Sequence, residues 1–242
     1  MTSLEGQFAV ITGASSGIGK AIALGLAAEQ VRTLLLGRRI ETLQAVAALA
    51  REKTPRVDFY EIDLTRDEAI REFVTHLQQK VDYVDLLIHS AGAISLGRLE
   101  SASVEDFDWQ YRTNVRAPYV LTQSLLPMLK SNHGQVVFIN SSAGLNASAN
   151  VGQYAATKHA LKAIADSFRQ EINADGVRVL SIYPGRTASP MQELIYKREG
   201  REYRPELLMQ PENVAAIVIN ALSLPRSAEV TDINLRPHLK SY

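Results

Sequence analysis

The chain has 242 residues, a length typical of one large α/β domain. Apolar residues make up 46% of it, enough to bury a sizeable core, and 26 basic residues balance 26 acidic ones. Zero net charge argues against a general electrostatic affinity for nucleic acid or for anionic membranes. The absence of cysteine excludes disulfides, thiolate metal sites and a thiol nucleophile.

The first six residues contain no basic segment leading into an apolar one, so no signal peptide is predicted. The apolar runs are far shorter than the roughly 20 residues of a membrane helix. We therefore expect a cytoplasmic protein with neither a membrane nor a nucleic acid as its partner.

Short aliphatic or β-branched runs alternate with longer amphipathic stretches along the chain. The runs predict strands at residues 8–11, 33–36, 57–62, 84–88, 135–140, 177–183 and, more weakly, 230–235. Helices are predicted at residues 18–29, 41–52, 66–79, 104–112, 115–130, 152–174 and 211–222. Repeated strand–helix alternation indicates one doubly wound α/β domain over residues 1–242, with helices on both faces of a mostly parallel, seven-stranded sheet.

Two local features refine this scheme. Thr65 and Glu68 have the spacing of a capping box, which predicts the start of the helix at 66–79. Residues 187–210 mix Pro, Arg, Tyr and Glu and contain no predicted element. This segment is either a substrate lid or a long surface connection, and both alternatives stay open.

The first predicted strand runs into Thr-Gly-Ala-Ser-Ser-Gly-Ile-Gly at residues 12–19, where a helix begins. Gly13 permits a tight turn, Gly17 removes a side chain where a pyrophosphate must approach the backbone, and Gly19 lets the helix pack close to the strand. The helix N-terminus offers free N–H groups to phosphates. The residues predicted to bind a dinucleotide here are Gly13, Ser15, Ser16, Gly17, Ile18 and Gly19. No Gly-Lys-Ser/Thr ending follows, so the turn is not a loop for nucleotide hydrolysis.

The residues after the second strand predict which dinucleotide binds. An acidic residue there would hydrogen-bond the ribose 2′-OH and repel a 2′-phosphate, but this chain has Gly37 followed by Arg38 and Arg39. Guanidinium groups suit phosphate binding. NADP(H) is therefore predicted over NAD(H), with Arg38 as the first candidate and Arg39 as the second. The alternative is a solvated pair of surface charges.

The motif at 12–19 resembles the cofactor signature of the short-chain dehydrogenase/reductase family, and the match continues in order from about Gln7 to Leu235. The resemblance implies a Rossmann-like fold. It also implies further cofactor contacts at strand ends: Asp63 and Leu64 at adenine, Ser90, Ala91 and Gly92 at a ribose, and Pro184, Gly185, Thr187 and Ser189 at the nicotinamide. His89 and Ser90 depart from the family's usual Asn-Asn-Ala-Gly, and we interpret His89 as structural.

Tyr154 and Lys158 are predicted to carry the chemistry. Positions i and i+4 share a helix face, so the ammonium lies near the phenol. A nearby cation lowers a phenol pKa from about 10, which makes Tyr154 a candidate acid/base. The alternative is two amphipathic residues on a surface stripe. Tyr154 and Lys158 are also expected to contact the cofactor.

The resemblance assigns two more catalytic positions. Ser141 would hold the substrate oxygen, with Ser142 as the second candidate, and Asn114 would hold a water that links Lys158 to a proton relay. A helix-capping role is the alternative for Asn114. No metal site is predicted.

These features predict an NADP(H)-dependent oxidoreductase that moves a hydride between nicotinamide and a carbonyl or alcohol. A non-catalytic NADP(H) sensor or structural protein, and an unrelated α/β nucleotide-binding or transferase domain, are the alternatives. The resemblance implies a homodimer or homotetramer. The substrate is expected to be a small molecule in an apolar pocket, lined by Ile94, Leu96, Leu145, Met191, Leu194 and Ile195. Arg186 is expected to face solvent, or alternatively a substrate carboxylate.

Overall fold

The computed structural model describes residues 2–238, which form seven strands and eight α-helices. The strands are β1 (Phe8–Thr12), β2 (Arg32–Gly37), β3 (Val57–Glu61), β4 (Leu86–His89), β5 (Gln135–Ile139), β6 (Arg178–Pro184) and β7 (Asp232–Leu235). The helices are α1 (Gly17–Ala28), α2 (Ile40–Arg51), α3 (Asp67–Gln78), α4 (Val104–Tyr111), α5 (Ala117–Lys130), α6 (Gly152–Ile172), α7 (Pro190–Arg198) and α8 (Pro211–Leu222). Every predicted strand and helix is present.

All seven strands are parallel and follow the order β3-β2-β1-β4-β5-β6-β7. The order reverses between β1 and β4, where successive crossovers run to opposite sides. This is the predicted doubly wound, Rossmann-like architecture. In such sheets a ligand crevice opens at the carboxyl ends of the strands beside the reversal.

Each strand supplies two cores because successive side chains point to opposite faces. In β1, Ala9 and Ile11 join the core under α1, α2 and α8, while Phe8 and Val10 join the core under α3, α5 and α6. All five residues of β1 are buried, which explains its continuous apolar sequence.

The start of α3 corrects one prediction. Thr65 does not cap the helix: its N–H and its hydroxyl both donate to Asp63 Oδ1, at 3.0 and 2.8 Å, while Glu68 pairs with Arg71. The helix begins at Asp67 without a side-chain cap. The Thr65–Glu68 capping box is therefore wrong, because a charged carboxylate two residues earlier is the stronger partner for Thr65.

Helices α4 and α5 are joined without a loop. A π-helical turn at Arg112–Arg116 connects them, so the two predicted helices form one continuous rod. A π-turn inserts one extra residue into a helix and often lies at a functional site. Asn114 occupies the middle of this turn and is buried.

Residues 187–210 contain structure that the sequence pattern did not predict. Helix α7 begins at Pro190, a 3₁₀ turn spans Pro205–Leu207, and an isolated parallel bridge joins Thr187 to Met209. Ala188, Tyr196 and Leu208 form a small core of their own. No helix between residues 2 and 238 combines the length and the apolar content needed to cross a bilayer.

Candidate active site

A cavity of about 780 Å³ opens at the carboxyl ends of the strands, beside the reversal between β1 and β4. Its wall gathers the predicted cofactor residues from five loops: Gly13, Ser15, Ser16, Gly17, Ile18, Gly19, Arg38, Arg39, Asp63, Leu64, Ser90, Ala91, Gly92, Pro184, Gly185, Thr187 and Ser189. Ser141, Tyr154 and Lys158 share the same wall. Asn114 lies behind it, buried under Gly92 and Ala93.

Two positions where β1 passes into α1, Gly13 and Gly19, have room only for glycine. Gly13 has φ +65°, and a Cβ added there would come within 2.7 Å of the Ala91 backbone. A Cβ at Gly19 would lie 2.3 Å from the Gly13 carbonyl oxygen. The N-cap Ser16 makes no side-chain cap bond, and the first turn of α1 contains no acidic residue. The turn therefore presents uncapped N–H groups and a positive helix end to the cavity, an arrangement that fits a pyrophosphate.

Thr12 ties the neighbouring strand end to this turn. Its hydroxyl accepts hydrogen bonds from the N–H groups of Ser90 and Ala91, at 3.0 and 3.1 Å, and donates to the Ile88 carbonyl at 3.3 Å. Sequence reasoning missed this residue, although it directly precedes the glycine motif. The main chain after β4 is consequently held against the turn between β1 and α1.

His89 is part of the packing beneath the site. It is 4% exposed, stacks on Phe138 with ring centroids 5.0 Å apart, and its Nε2 lies 2.8 Å from the Thr122 hydroxyl. Burial lowers the pKa of His89 to about 3, so the ring is neutral near pH 7. It does not line the cavity, in agreement with the structural interpretation.

Arg38 and Arg39 are exposed at the end of β2, beside the buried Gly37. Among residues 2–238, neither guanidinium group has a salt bridge or a side-chain hydrogen bond, so both remain free to bind an anion in the cavity. Asp63 follows β3 on the same wall and is engaged by Thr65, as described above. Both bonds from Thr65 reach Asp63 Oδ1, so Asp63 stabilises the turn that follows β3.

Tyr154 and Lys158 lie on one face of α6. The Lys158 Nζ is 5.8 Å from the centre of the Tyr154 ring and donates to the Ile139 carbonyl, the last of β5, at 3.1 Å. Lys158 is 3% exposed, and burial lowers its pKa to about 8. Burial raises the pKa of the half-buried Tyr154, and the Ser141 hydroxyl acts in the opposite direction. We expected Lys158 to lower the pKa of Tyr154. The protein groups alone raise that pKa instead, because burial disfavours the phenolate.

Ser141 stands at the turn after β5 in extended backbone, where its hydroxyl accepts from the Ala143 N–H at 3.1 Å. Asn140 fixes this turn against α6: its Nδ2 donates to the Lys158 carbonyl at 3.1 Å and its Oδ1 accepts from the Ser141 N–H at 2.9 Å. Ser142 also reaches the wall but is exposed. Sequence reasoning missed Asn140, whose only signal was a buried amide at a strand end.

Asn114 connects three parts of the site. Its Oδ1 accepts from the Ala93 N–H at 2.8 Å, and its Nδ2 donates to the Ala93 carbonyl at 2.8 Å and to Thr157 Oγ1 at 3.0 Å. Thr157 in turn donates to the Tyr154 carbonyl at 2.8 Å. The amide therefore locks the loop after β4 to the helix carrying Tyr154. It does not cap a helix, because it lies inside the π-helical turn.

The segment after β6 is held by local hydrogen bonds and by Tyr203. Thr187 Oγ1 donates to the Gly185 carbonyl at 3.1 Å, and Ser189 Oγ donates to the Thr187 carbonyl at 3.2 Å while accepting from the Gln192 N–H at 3.2 Å. The Tyr203 hydroxyl accepts from the Ser189 N–H at 3.0 Å. Ser189 thus starts α7 at the cavity wall.

Arg186 forms an ion pair that neither alternative given for it named. Its guanidinium donates twice to the Glu199 carboxylate, at 3.0 and 2.7 Å, and lies over the Tyr196 ring, 4.9 Å from its centre. Arg186 and Glu199 both line the cavity, and the Arg186 side chain is 33% exposed, so the two alternatives for Arg186 stay open. The ion pair joins the end of β6 to the end of α7. Glu199 lies thirteen residues after Arg186, and no sequence motif connects them, so the pair was not predicted.

The wall beyond residues 184–189 is mixed rather than apolar. Ile94, Leu96, Met191 and Ile195 line it as expected, but Leu145 does not and Leu194 is 62% exposed. Polar side chains that were not predicted also reach the wall, namely Thr113, Asn146, Ser148 and Gln192, together with Trp109. Residues far apart in sequence are brought together here, so no local motif marks them.

Comparisons with known proteins identify the family. The family model described as short chain dehydrogenase matches residues 7–200. An uncharacterised oxidoreductase of Staphylococcus aureus is 31% identical over 238 residues, which cover 98% of this chain and 100% of that protein. No substrate is named for that relative.

Solved structures agree. The alcohol dehydrogenase of the archaeon Thermococcus sibiricus, complexed with 5-hydroxy-NADP, is 29% identical with a TM-score of 0.88, covering 98% of this chain and 99% of that one. The L-sorbose reductase of Gluconobacter frateurii, complexed with NADPH and L-sorbose, is 25% identical with a TM-score of 0.87, covering 97% and 96%. The chain is an oxidoreductase that belongs to the short-chain dehydrogenase family.

Proposed function

We propose that this protein is an NADP(H)-dependent oxidoreductase that transfers a hydride between nicotinamide and a carbonyl or alcohol substrate. The observation that carries the proposal is the single cavity wall shared by the phosphate turn, the unpaired Arg38, and the Ser141–Tyr154–Lys158 group. The two solved relatives described above were crystallised with NADP-type cofactors, which supports the same choice.

The proposed cofactor residues divide by chemistry. The turn from Gly13 to Gly19 binds the pyrophosphate through N–H groups and the hydroxyls of Ser15 and Ser16. Arg38, supported by Arg39, binds the 2′-phosphate. Asp63 and Leu64 contact adenine, the main chain from Ser90 to Gly92 contacts a ribose, and the residues from Pro184 to Ser189 contact the nicotinamide end. When bound, NADPH supplies the hydride.

The catalytic roles follow from placement. Ser141 Oγ orients the substrate oxygen, and Tyr154 Oη donates a proton to it in reduction or accepts one in oxidation. Lys158, held by the Ile139 carbonyl, places a positive charge beside the phenol. Asn114 holds the Tyr154 helix in register with the loop after β4, and by resemblance positions a water for proton supply. The roles of all four residues are open to test by substitution.

The test is NADPH oxidation across a panel of aldehydes, ketones, diketones and β-ketoacyl thioesters, with NADH in parallel. We expect turnover with NADPH preferred. An Arg38→Ala enzyme should lose most of that preference, whereas Arg71→Ala, which removes an exposed guanidinium on α3, should keep it. An unchanged preference after Arg38→Ala would contradict the 2′-phosphate assignment. Tight NADPH binding without turnover of any substrate would favour a non-catalytic sensor instead.

We also propose that residues 1–242 act as one catalytic domain and that the chain forms a homo-oligomer. Val104, Tyr111 and Tyr119, on the helices that flank Asn114, are 67%, 45% and 49% exposed. Large apolar side chains exposed on these successive helices favour burial against another copy. Sedimentation velocity measures the oligomer directly, and a monomer at micromolar concentration would contradict this proposal.

A further inference from the structure

Charged residues line the cavity in two separate regions. The first region lies at the ends of β2 and β3, where the proposed function places the adenosine end of the cofactor. The second region contains the remaining charged residues of the wall, namely Lys158, Arg186 and Glu199. Among residues 2–238, Glu199 is therefore the only acidic residue that lines the cavity away from the adenosine end.

Glu199 is shared by two guanidinium groups. Arg186 donates to both of its carboxylate oxygens, and Arg201 Nη1 lies 3.5 Å from its Oε2. Within residues 2–238, neither arginine has a salt bridge to any other acidic group. One carboxylate thus faces two guanidinium groups, which leaves one positive charge unbalanced. The excess continues along residues 186–204, which contain five basic and three acidic residues although the whole chain is neutral.

Arg186 is open to a ligand in the cavity. A guanidinium group has five N–H donors, and the bonds to Glu199 use two of them. The Arg186 side chain is 33% exposed, and both partners of the ion pair line the cavity. The pair is also held in place, because Arg186 lies over the Tyr196 ring and Arg198 donates to the Ser95 hydroxyl at 3.2 Å. A donor held in this way loses little freedom when it binds a ligand.

The sheet places Arg186 beside the proposed reaction centre. Strands β5 and β6 are parallel neighbours in which Ile139 pairs with Ile182. Ser141 follows this pair by two residues on one strand and Arg186 by four on the other, at the same edge of the sheet. Neighbouring strands are only about 4.8 Å apart. A substrate whose carbonyl lies at Ser141 and Tyr154 therefore extends along the wall on which Arg186 lies.

The chemistry of the guanidinium group indicates which ligand it meets. Arg186 binds the Glu199 carboxylate with two parallel N–H bonds, the geometry that a planar guanidinium favours. A carboxylate of the substrate has the same shape and charge, and it would balance the positive charge that Glu199 leaves over. An uncharged substrate would leave that charge unbalanced. A second anionic group, separate from the reacting carbonyl, therefore fits this part of the wall.

We propose that Arg186 recognises a carboxylate of the substrate, so that the enzyme acts on oxo acids and the corresponding hydroxy acids in preference to uncharged ketones. This inference rests on the proposed function, since it names the substrate class of the same site. Glu199 holds the guanidinium group in place and competes with the substrate carboxylate for it. Arg186 sets specificity and takes no part in the proton transfer.

Oxo acids paired with their methyl esters test the proposal, because the ester keeps the ketone and loses the charge. Pyruvate, acetoacetate and levulinate place the carboxylate at increasing distances from the ketone. The measured quantity is the ratio of kcat/KM for the acid to that for the ester. In Arg186→Met the ratio for the best acid should fall by at least about tenfold, because a charge-assisted bond is lost. The control Arg204→Met removes an exposed guanidinium that does not line the cavity and should keep the wild-type ratio.

A second variant separates recognition from a structural role of the ion pair. Glu199→Gln removes the competing charge and keeps the shape of the side chain, so the ratio of acid to ester should rise. The two variants thus move the ratio in opposite directions. A pair that only held α7 in place would be weakened by both variants, and the ratio would not move in opposite directions.

Three results would overturn the proposal. The first is a ratio that is unchanged in Arg186→Met or that moves in the same direction in both variants. The second is a wild type that reduces the esters and none of the acids. The third is weaker NADPH binding in Arg186→Met with an unchanged ratio, which would assign the guanidinium group to the cofactor.

A binding measurement separates this inference from the proposed function. In Tyr154→Phe with NADPH bound, calorimetry should show tighter binding of at least one oxo acid than of its ester, and the added Arg186→Met change should abolish the difference. If the wild type oxidises NADPH with no ketone, the proposed function fails, while calorimetry still decides about Arg186. Equal binding of acid and ester in all three pairs overturns the Arg186 assignment even in an enzyme that turns over.

Discussion

Two regions of the cavity are held by different kinds of contact. We call them the floor, which contains Thr12, Asn114 and the loop after β4, and the cover. The floor is held by side chains that bind main chain: Thr12 holds Ser90 and Ala91, and Asn114 holds Ala93. The cover, α7 and the segment up to Met209, has similar contacts at Ser189, but it also contains a group of side chains that bind one another around Tyr196. The guanidinium groups of Arg186 and Arg201 both lie near the Tyr196 ring, each 4.9 Å from its centre.

The difference has a physical consequence for rigidity. Floor contacts are buried, so losing one leaves an unpaired polar group in the interior. The Arg186–Glu199 pair of the cover is partly solvated, with side chains 33% and 26% exposed, and such pairs contribute about 1 kcal/mol or less. We therefore expect the floor to open only with global unfolding and the cover to open locally.

The largest effect is expected from the chemistry that the floor supports. Tyr154→Phe removes the proton donor, so kcat should fall by roughly 10²- to 10⁴-fold while NADPH binding is retained. Tyr83→Phe, which removes a hydroxyl from a 45% exposed tyrosine between α3 and β4, is the matched control and should keep wild-type turnover. Steady-state kinetics and NADPH fluorescence titration measure the two quantities. Substantial activity left in Tyr154→Phe would contradict the acid/base role.

Three glycine substitutions measure how tightly the floor is packed. Gly13→Ala combines φ +65° with a backbone contact at 2.7 Å, so it should lower the free energy of unfolding by about 3 kcal/mol. Gly6→Ala has φ +79° in open space and should cost about 1 kcal/mol. Gly152→Ala, with neither strain nor a neighbour, should cost nothing measurable. Urea denaturation ranks the three, and an equal loss in Gly6→Ala and Gly13→Ala would show that packing adds nothing.

The pH profile tests Lys158. Its pKa of about 8 means that the ammonium is charged below pH 8 and loses its proton above it. We expect kcat/KM for reduction to be level below pH 8 and to decline by about tenfold per unit above it. Tyr154 cannot cause this decline, because burial raises its pKa. Lys158→Arg keeps the charge at all these pH values and should remove the decline, even if the rate is lower throughout. A decline that persists in Lys158→Arg would assign it elsewhere.

The smallest effect is expected in the cover. Arg186→Ala should lower global stability by no more than about 1 kcal/mol, yet speed the cleavage of residues 187–210 by protease under native conditions. Arg204→Ala breaks an exposed pair with Glu206 and should change neither quantity. Equal cleavage of Arg186→Ala and wild type would place the cover in the same cooperative unit as the floor.

The floor was predictable from sequence because main-chain arrangements leave local signatures. A left-handed turn requires glycine, so Gly13 and Gly17 are visible as a motif, and helical spacing brings Tyr154 to Lys158. Continuous apolar runs marked the buried strands, and the predicted ends of strands and helices lie within two residues of those observed. These features depend on neighbours close along the chain.

The features that the sequence did not predict depend on competing hydrogen-bond partners or on residues that are far apart along the chain. Thr65 had a capping pattern, but Asp63 was the stronger partner. Arg198 and Ser95, which fasten the cover, are 103 residues apart and share no motif. Helix α7 was not predicted because its mixed polar and aromatic residues show no clear apolar face. Its buried Tyr196 packs in a small separate core. Such contacts are decided by the assembled fold.

The π-helical turn at Arg112–Arg116 makes this region sensitive to the deletion of a single residue. It holds one residue more than an α-helical turn, so removing a single residue there would restore a regular helix from α4 through α5. Each residue advances a helix by about 100°, so α4 would rotate by that angle relative to α5. The Asn114 amide could not then meet both Ala93 and Thr157. Deleting one residue from this turn would therefore hardly change the length of the chain, but it would break the contacts that hold the site together.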